Sequence, residues 1–224
     1  YEDYRGRHQQ VNLRVTAPSF SPAGNDLRVV VLQNARWDNA VTLTTPYLRL
    51  GQELHFEHSR GARFPAGNNY HRLEHLSDRA IGLGIERVGL EEGRYTVYLH
   101  PIRNESEQAY RHEESHQGLQ IIRTTGSDTP GTEADYHKVH FRFLSPRLEG
   151  GDVLLEGEAF RYLPLSERIL RYNQEEGMYE GSVLLKMGYQ EYQILFQPRG
   201  SQALLAQPTL GDHYQTKNRY TVLV

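Results

Sequence analysis

Residues 136–143 read YHKVHFRF, in which Val139, Phe141 and Phe143 alternate with polar or charged side chains. Because successive side chains of a strand point to opposite faces, this period of two predicts a strand with one buried face. Similar strand-like runs recur along the chain: LRVVVLQ, GRYTVYL, GLQIIR, GDVLLEG, YEGSVLLKM, EYQILFQ and RYTVLV. Turn residues separate these runs at intervals of about ten residues, a spacing typical of β-sandwiches.

Helical signals are scarce. No segment longer than about ten residues keeps apolar residues three and four positions apart while avoiding Gly and Pro. The nearest candidate is LPLSERILR, residues 163–171. The sequence therefore predicts an all-β fold.

A chain of 224 residues has room for two β-modules of about 100 residues each. The strongest cluster of turn residues is RTTGSDTPGT at residues 123–132, so we place a boundary near Ser127 to Thr132. We predict two consecutive antiparallel β-sandwiches, the first over residues 1–128 and the second over residues 129–224.

Composition argues against several classes of protein. The 25 basic and 28 acidic residues give a net charge of -3 and are mixed along the chain, so no basic stripe is available for nucleic acid. The absence of cysteine excludes disulfides and cysteine-based metal sites. No apolar run is long enough for a membrane-spanning helix. The opening YEDYRGRHQQ lacks both an initiator Met and a signal-like apolar core, so we expect the sequence to begin inside a longer chain.

One motif suggests an enzyme, because HEESH at residues 112–116 matches H-E-x-x-H. On a helix this spacing brings His112 and His116 to one face for zinc, with Glu113 as the general base of a hydrolase. Here strand-like residues flank the motif and a glycine follows two positions later. We therefore expect a hairpin with its turn at residues 116–118, and a zinc hydrolase through His112, Glu113 and His116 is the alternative.

Other signals of catalysis are absent. Three pairs of glutamates, at residues 91–92, 113–114 and 175–176, adjoin glycine or other polar turn residues, where solvated carboxylates are expected. The sequence contains no phosphate-cradling Gly-rich loop and no G-x-S-x-G motif. We predict a protein that is not an enzyme and uses no cofactor and no metal.

The stretch VVVLQNARWDNAV, residues 29–41, ends an apolar strand in polar turn formers around Trp37, the chain's one tryptophan. Asn and Asp favour a turn here because their side chains bond back to the backbone. We expect Trp37 to be buried as a rigid plug over the edge of the sandwich, which removes on the order of 200 Å² from water. The alternative is an exposed tryptophan that faces a partner, since aromatic residues are enriched in interface hot spots.

Four stretches carry a resemblance to a known family. In chain order they are QNARWDNA, FPAGNNYHRLEHLSDRAI, TEADYHKVHF and GDHYQTKNRYTVLV, beginning at residues 33, 64, 132 and 211. Together they resemble the plug proteins of the type nine secretion system of Bacteroidetes, a family long described as a domain of unknown function. The resemblance covers nearly the whole chain. Family members are longer, with a secretory signal and a further β-rich domain before the part that this sequence represents.

The resemblance implies a periplasmic protein, associated with the outer membrane, that occludes the periplasmic mouth of the translocon barrel. The implied partner is that outer-membrane barrel protein, and the implied mode of action is steric. The loop HSRGARFPAGNNYHR, residues 58–72, is rich in aromatic and polar residues suited to an interface rim. We therefore take Phe64, Asn68 and Tyr70, together with Trp37, as candidate partner-binding residues.

The second half, residues 151–224, also resembles an early-set immunoglobulin-like module of the kind found in glycogen-binding subunits. This resemblance implies a carbohydrate-binding module as an alternative function. Such modules stack sugars on exposed tryptophans, and this half contains none. Tyr162 or Tyr189 would have to take that place.

Overall fold

The structure, a computed structural model, describes residues 6–16, 27–57, 60–78, 80–125, 128–129, 131 and 134–224. Strands dominate these residues and helix is almost absent, which confirms the predicted all-β fold. The candidate helix in residues 163–171 forms one turn, α1, at Leu165–Arg168, and the chain then enters a strand. Within the described residues we find no helix with the length and apolar character needed to cross a membrane.

The chain divides into two compact units, the first formed by Tyr1–Gly67 with Asp212–Val224 and the second by Asn68–Gly211. The described strands of the first unit are β1 (His8–Gln10), β2 (Arg14–Thr16), β3 (Val29–Gln33), β4 (Val41–Leu43), β5 (Leu48–Leu50), β6 (Glu53–His55), β7 (Arg63–Pro65) and the C-terminal β18 (Tyr220–Leu223). They form two three-stranded sheets, in the orders β18-β3-β4 and β2-β6-β5, and the pair β1-β7.

The two three-stranded sheets of the first unit share one apolar core. Val29 and Val31 of β3 contribute from one sheet and Leu54 of β6 from the other, and Phe56 and Phe64 complete the cluster. The Phe64 ring packs against the ring of Tyr220, with 5.3 Å between centroids. This common core makes the unit a small sandwich.

The second unit contains β8 (His71–His75), β9 (Ile85–Glu91), β10 (Arg94–Leu99), β11 (Ile102–Arg103), β12 (Gln120–Ile122), β13 (Tyr136–Leu144), β14 (Gly151–Glu156), β15 (Ile169–Asn173), β16 (Met178–Lys186) and β17 (Gly188–Pro198). All ten strands belong to one sheet whose main path runs β12-β17-β14-β15-β16-β13-β10-β9, with β8 also paired to β17. The first half of β17 pairs with β8 and β12, and its second half pairs with β14.

Strands from both ends of this path contribute to the same core, so the sheet folds over on itself. Leu73 of β8 and Val97 of β10 belong to one cluster with Phe141 of β13 and Tyr192 of β17. The rings of Phe141 and Tyr192 pack edge-on with centroids 5.0 Å apart, a preferred geometry for aromatic pairs.

The observed division of the chain differs from the predicted boundary between residues 128 and 129, which lies inside the second unit. Residues on the two sides of that position pair in one sheet, because β10 runs parallel to β13 and β12 runs antiparallel to β17. The C-terminal strand, expected in the second module, instead pairs with β3 of the first unit. The pairs β10-β13 and β11-β13 are parallel, so the sheet is mixed, whereas the sequence predicted antiparallel pairing throughout.

This pairing predicts which fragment folds alone. We expect residues 68–211 to unfold cooperatively on heating and to give dispersed amide spectra, because they contain every strand of the ten-stranded sheet. Residues 129–224 keep β13 but lose β10, so the buried face of Phe141 is exposed, and we expect no cooperative transition. Cooperative unfolding of residues 129–224 alone, without residues 68–128, would contradict the observed division.

Candidate functional site

The connection between β3 and β4 displays Trp37 between two successive turns. Asn34 and Ala35 have φ angles of 54° and 56°, and the Arg36 amide donates to the Gln33 carbonyl over 3.1 Å. Positive φ at both central residues is the pattern of a type I′ turn. A second turn follows at once, since the Ala40 amide donates to the Trp37 carbonyl over 3.2 Å.

Polar side chains hold these turns in place. Arg36 forms a bidentate ion pair with Asp38, in which Nε donates to Oδ1 over 3.0 Å and Nη2 donates to Oδ2 over 2.5 Å. Asn39 Nδ2 donates to Gln33 Oε1 over 3.0 Å. Asn34 Nδ2 donates to Asn218 Oδ1 over 2.7 Å, and Asn34 Oδ1 accepts the backbone amide of Arg219 over 2.9 Å. The connection is therefore built on ordered hydrogen bonds on either side of Trp37.

Trp37 itself is 68% exposed, so the expectation of a buried plug is wrong. Arg36 and Gln33 are buried beneath the turn. Their polar network fills the buried position in which the indole ring was expected. Trp37 has the exposure that the alternative, a partner-facing tryptophan, requires. Large aromatic side chains on a rigid base lose little conformational entropy when they bind.

The other three candidate partner-binding residues are buried. Phe64 is 1% exposed and lies in the core of the first unit. Asn68 donates to the Leu210 carbonyl over 2.5 Å and its own carbonyl accepts from Gln193 Nε2 over 2.6 Å. Tyr70 is buried as well. These side chains do not form an accessible rim, because each is committed to packing or hydrogen bonding inside its own unit.

The HEESH motif lies in an irregular segment. Residues 111–116 have neither helical nor strand geometry, and the chain then turns at Gln117 and Gly118, with φ angles of 57° and 90°. The expected turn is present, whereas the strand expected before it does not form. The helical frame that would bring His112 and His116 to one ion is absent here. No group of three His, Asp or Glu side chains within the described ranges is arranged to hold a metal ion.

A buried carboxylate anchors this segment. Glu191 of β17 is 0% exposed, and its oxygens accept the His116 amide over 2.7 and 2.9 Å and the Gly118 amide over 3.1 Å. His116 Nδ1 lies 3.1 Å from Oε1, and the Tyr189 hydroxyl donates to the same oxygen over 2.6 Å. Burial, with the Glu191 bond, raises the pKa of the Tyr189 phenol. The oxygens of this carboxylate are engaged in bonds that tie the turn to β17.

The turn also explains the need for glycine at residue 118. A Cβ atom there would lie 2.8 Å from Cε1 of Tyr70, and the positive φ is one that other residues rarely adopt. Tyr70 therefore supports the HEESH turn from below, which is a structural role. The aromatic character of residue 70 was visible in the sequence, but the partner it packs against was not.

A small polar cleft lies beside this segment. It has a volume of about 90 Å³ and is lined in part by Asn69, His71, Glu105, Arg111 and Glu113. Burial, and then the charge of Glu113, raises the pKa of the Glu105 carboxyl. A raised carboxyl pKa in a cleft is one mark of an active site, but this volume is well below the roughly 300 Å³ of a typical small-molecule pocket.

A buried histidine pair, which the sequence did not predict, lies in the second unit. His75 of β8 and His137 of β13 face each other, with 3.4 Å between their Nδ1 atoms. Asp78 Oδ1 lies 2.9 Å from His137 Nε2. The available signal was that both histidines belong to stretches that carry the family resemblance. Spacing along the chain did not reveal the pair, because 62 residues separate its members.

Comparisons with known proteins support the fold. No family model and no curated protein matches the chain. A crystal structure of a hypothetical protein from Parabacteroides merdae is similar, with 35% sequence identity and a TM-score of 0.92 over 97% of this chain. The match covers 55% of that protein, so the chain spans little more than half of its length.

The Glu191 anchor generates a stability prediction. Replacing Glu191 with Gln puts an amide N–H against backbone donors in a buried site, so we expect a loss of about 3 kcal/mol of unfolding free energy. Urea denaturation measures it. The control, Glu176→Gln, changes an exposed turn residue and should stay within about 0.5 kcal/mol. Equal effects of the two substitutions would show that the anchor contributes nothing.

The type I′ turn generates a second prediction. Ala35 adopts a φ of 56°, which costs a residue with a Cβ on the order of 1 kcal/mol relative to glycine. We expect Ala35→Gly to stabilise the chain by about 0.5 kcal/mol after the larger entropy of the unfolded glycine is counted. Thermal denaturation compares it with Ala40→Gly, a position without positive φ, where we expect a loss of similar size. A destabilised Ala35→Gly variant would contradict the turn assignment.

Proposed function

We propose that this chain is the non-enzymatic, partner-binding part of a plug subunit of the type nine secretion translocon. In this proposal it sits in the periplasm at the outer membrane and closes the periplasmic mouth of the translocon barrel through protein-protein contacts. The action is steric, so it requires a stiff body and an accessible anchor. No catalytic group takes part.

The observation that carries the proposal is the exposed Trp37 on its hydrogen-bonded turn. A tryptophan that is 68% exposed leaves a large apolar surface in water, and burying it against a partner removes that cost. The Arg36–Asp38 ion pair lies directly beside it in sequence, and Arg36 is buried. The turn is therefore ordered before binding, which favours an interface anchor over a flexible loop.

Two further points support the choice of partner. The Trp37 turn is the first of the four stretches that resemble the plug family, so the exposed feature and the resemblance coincide at the same residues. The described strands of the second unit form one continuous sheet of ten strands that folds around a large apolar cluster. Such a unit resists deformation, as a protein that blocks a pore must.

The test is affinity purification of the full-length protein from outer membranes. We expect the translocon barrel to co-purify with the wild type, and we expect Trp37→Ala to weaken that association at least 10-fold, as for a typical aromatic hot spot. The unfolding free energy of Trp37→Ala should change by no more than about 0.5 kcal/mol, because the ring is exposed.

Tyr47→Ala is the matched control, since Tyr47 is a similarly exposed aromatic residue of the first unit outside the turn. We expect it to leave co-purification unchanged. Retention of the barrel by Trp37→Ala at the wild-type level would remove Trp37 from the interface. Absence of any barrel protein from the wild-type preparation would end the plug assignment.

A carbohydrate-binding module is the second candidate, and one observation favours it. Tyr162 is 91% exposed, in a turn closed by the hydrogen bond from the Leu163 amide to the Phe160 carbonyl. The other tyrosine considered, Tyr189, is partly buried and bonded to Glu191. Retention on α-glucan media that Tyr162→Ala abolishes would support this candidate, and passage of the wild type without retardation would reject it.

A further inference from the structure

The His75–His137 contact joins strands that do not pair with each other. His75 is on β8, which pairs with β17, and His137 is on β13, which lies between β16 and β10 in the sheet. His75 is 0% exposed and His137 2%. The 3.4 Å between the two Nδ1 atoms is a direct polar contact across the folded sheet.

The neighbours of each ring fix where the protons lie. A carboxylate only accepts hydrogen bonds, so Asp78, 2.9 Å from His137 Nε2, requires the proton of a neutral His137 to be on Nε2. His137 Nδ1 is then an acceptor, and His75 must donate to it from its own Nδ1. The Nε2 atom of a neutral His75 consequently carries a lone pair and no proton. His75 Nε2 is buried, and within the described part of the chain it forms no well-aligned hydrogen bond.

We propose that this pair is an acid-sensitive latch between β8 and β13, closed while His75 donates its Nδ1 proton to His137 and released when a further proton enters at His75 Nε2. Protonation places a positive charge in the interior, where the pair is shielded from water. Opening the contact returns the charged ring to solvent. The inference concerns the fold of the second unit alone and does not depend on the plug proposal.

Other groups around the pair do not offset this charge fully. Asp78 is the one carboxylate within hydrogen-bonding distance of either ring in the described residues, and it contacts the far side of His137. Tyr95 of β10 packs against His137 with ring centroids 6.0 Å apart. From the other side, Gln190 of β17 and the Lys186 carbonyl favour the protonated form of His75, but neither group carries a negative charge.

The direction of the pH effect follows from burial. Burial, and then the proximity of His137, lowers the pKa of His75 from 6.5 to about 4. The folded state therefore binds this proton more weakly than the open state does, so the stability of the latch is complete above pH 6.5 and is lost as the pH falls towards 4. His71, on the same strand, has its pKa lowered to about 4 by burial as well, so any test must separate the two histidines.

The experiment measures amide exchange of residues 71–75 by mass spectrometry at pH 7.5 and 4.5, corrected for intrinsic rates, in a His71→Gln background. With His75 present, a pKa of about 4 against 6.5 predicts that the opening constant rises on the order of 50-fold between the two pH values. In His71→Gln/His75→Gln we expect a change of less than about 3-fold. His112→Gln in the same background is the control, because this exposed histidine lies outside the pair and should leave the 50-fold response intact.

If the double variant fails to fold, the tautomers of His75 and His137 can be determined directly in the wild-type protein. Nitrogen-resolved imidazole spectra of the wild type at pH 7.5 should show His75 protonated at Nδ1 and His137 at Nε2. A proton on Nε2 of both rings would overturn the latch, since no proton would then lie between them. Zinc retained at one equivalent after gentle purification, and lost on His75→Gln, would also overturn it by placing a cation between the rings. An equal pH response with and without His75 would reject it outright.

Discussion

The second unit depends on β17, the first half of which is hydrogen-bonded along both of its edges. Its first half lies between β8 and β12, and its second half pairs with β14. From Gln190 to Phe196 every residue of the strand is buried. A backbone whose donors and acceptors are satisfied on two sides can lie in the interior without unpaired polar groups, and this arrangement closes the sheet around its core.

Three consecutive residues of β17 then serve three different parts of the unit. Gln190 lies beside the histidine pair, Glu191 holds the HEESH turn through two backbone amides, and Tyr192 packs on Phe141 in the core. Neighbouring side chains point to opposite faces of a strand, so β17 serves both faces at once. Because both faces of the strand are covered, Glu191 finds its partners inside the unit, in the His116 and Gly118 amides.

In the first unit, the connection between β3 and β4 is stabilised by polar side chains. Its turn is held by ion-paired and amide side chains, with Gln33, Asn34 and Arg36 all buried. These side chains fix the turn through directional hydrogen bonds, and the indole ring of Trp37 remains exposed to solvent. From the sequence, the buried position was expected to hold Trp37, the most hydrophobic residue of the turn. The network shows that several hydrogen bonds can fill such a position when each donor finds its acceptor.

The sequence by itself determined the all-β class, several of the strands and the turn at residues 117–118, because alternation and glycine placement are local properties of the chain. It did not determine which strands pair. The return of β18 to β3 and the parallel pairing of β10 with β13 depend on contacts between residues far apart in the chain, which leave no periodic signal. For the same reason the burial of Phe64, Asn68 and Tyr70, the Glu191 anchor and the meeting of His75 with His137 were decided by the tertiary structure alone. A side chain's type states what it can bind, whereas its exposure and its partners are set by the rest of the fold.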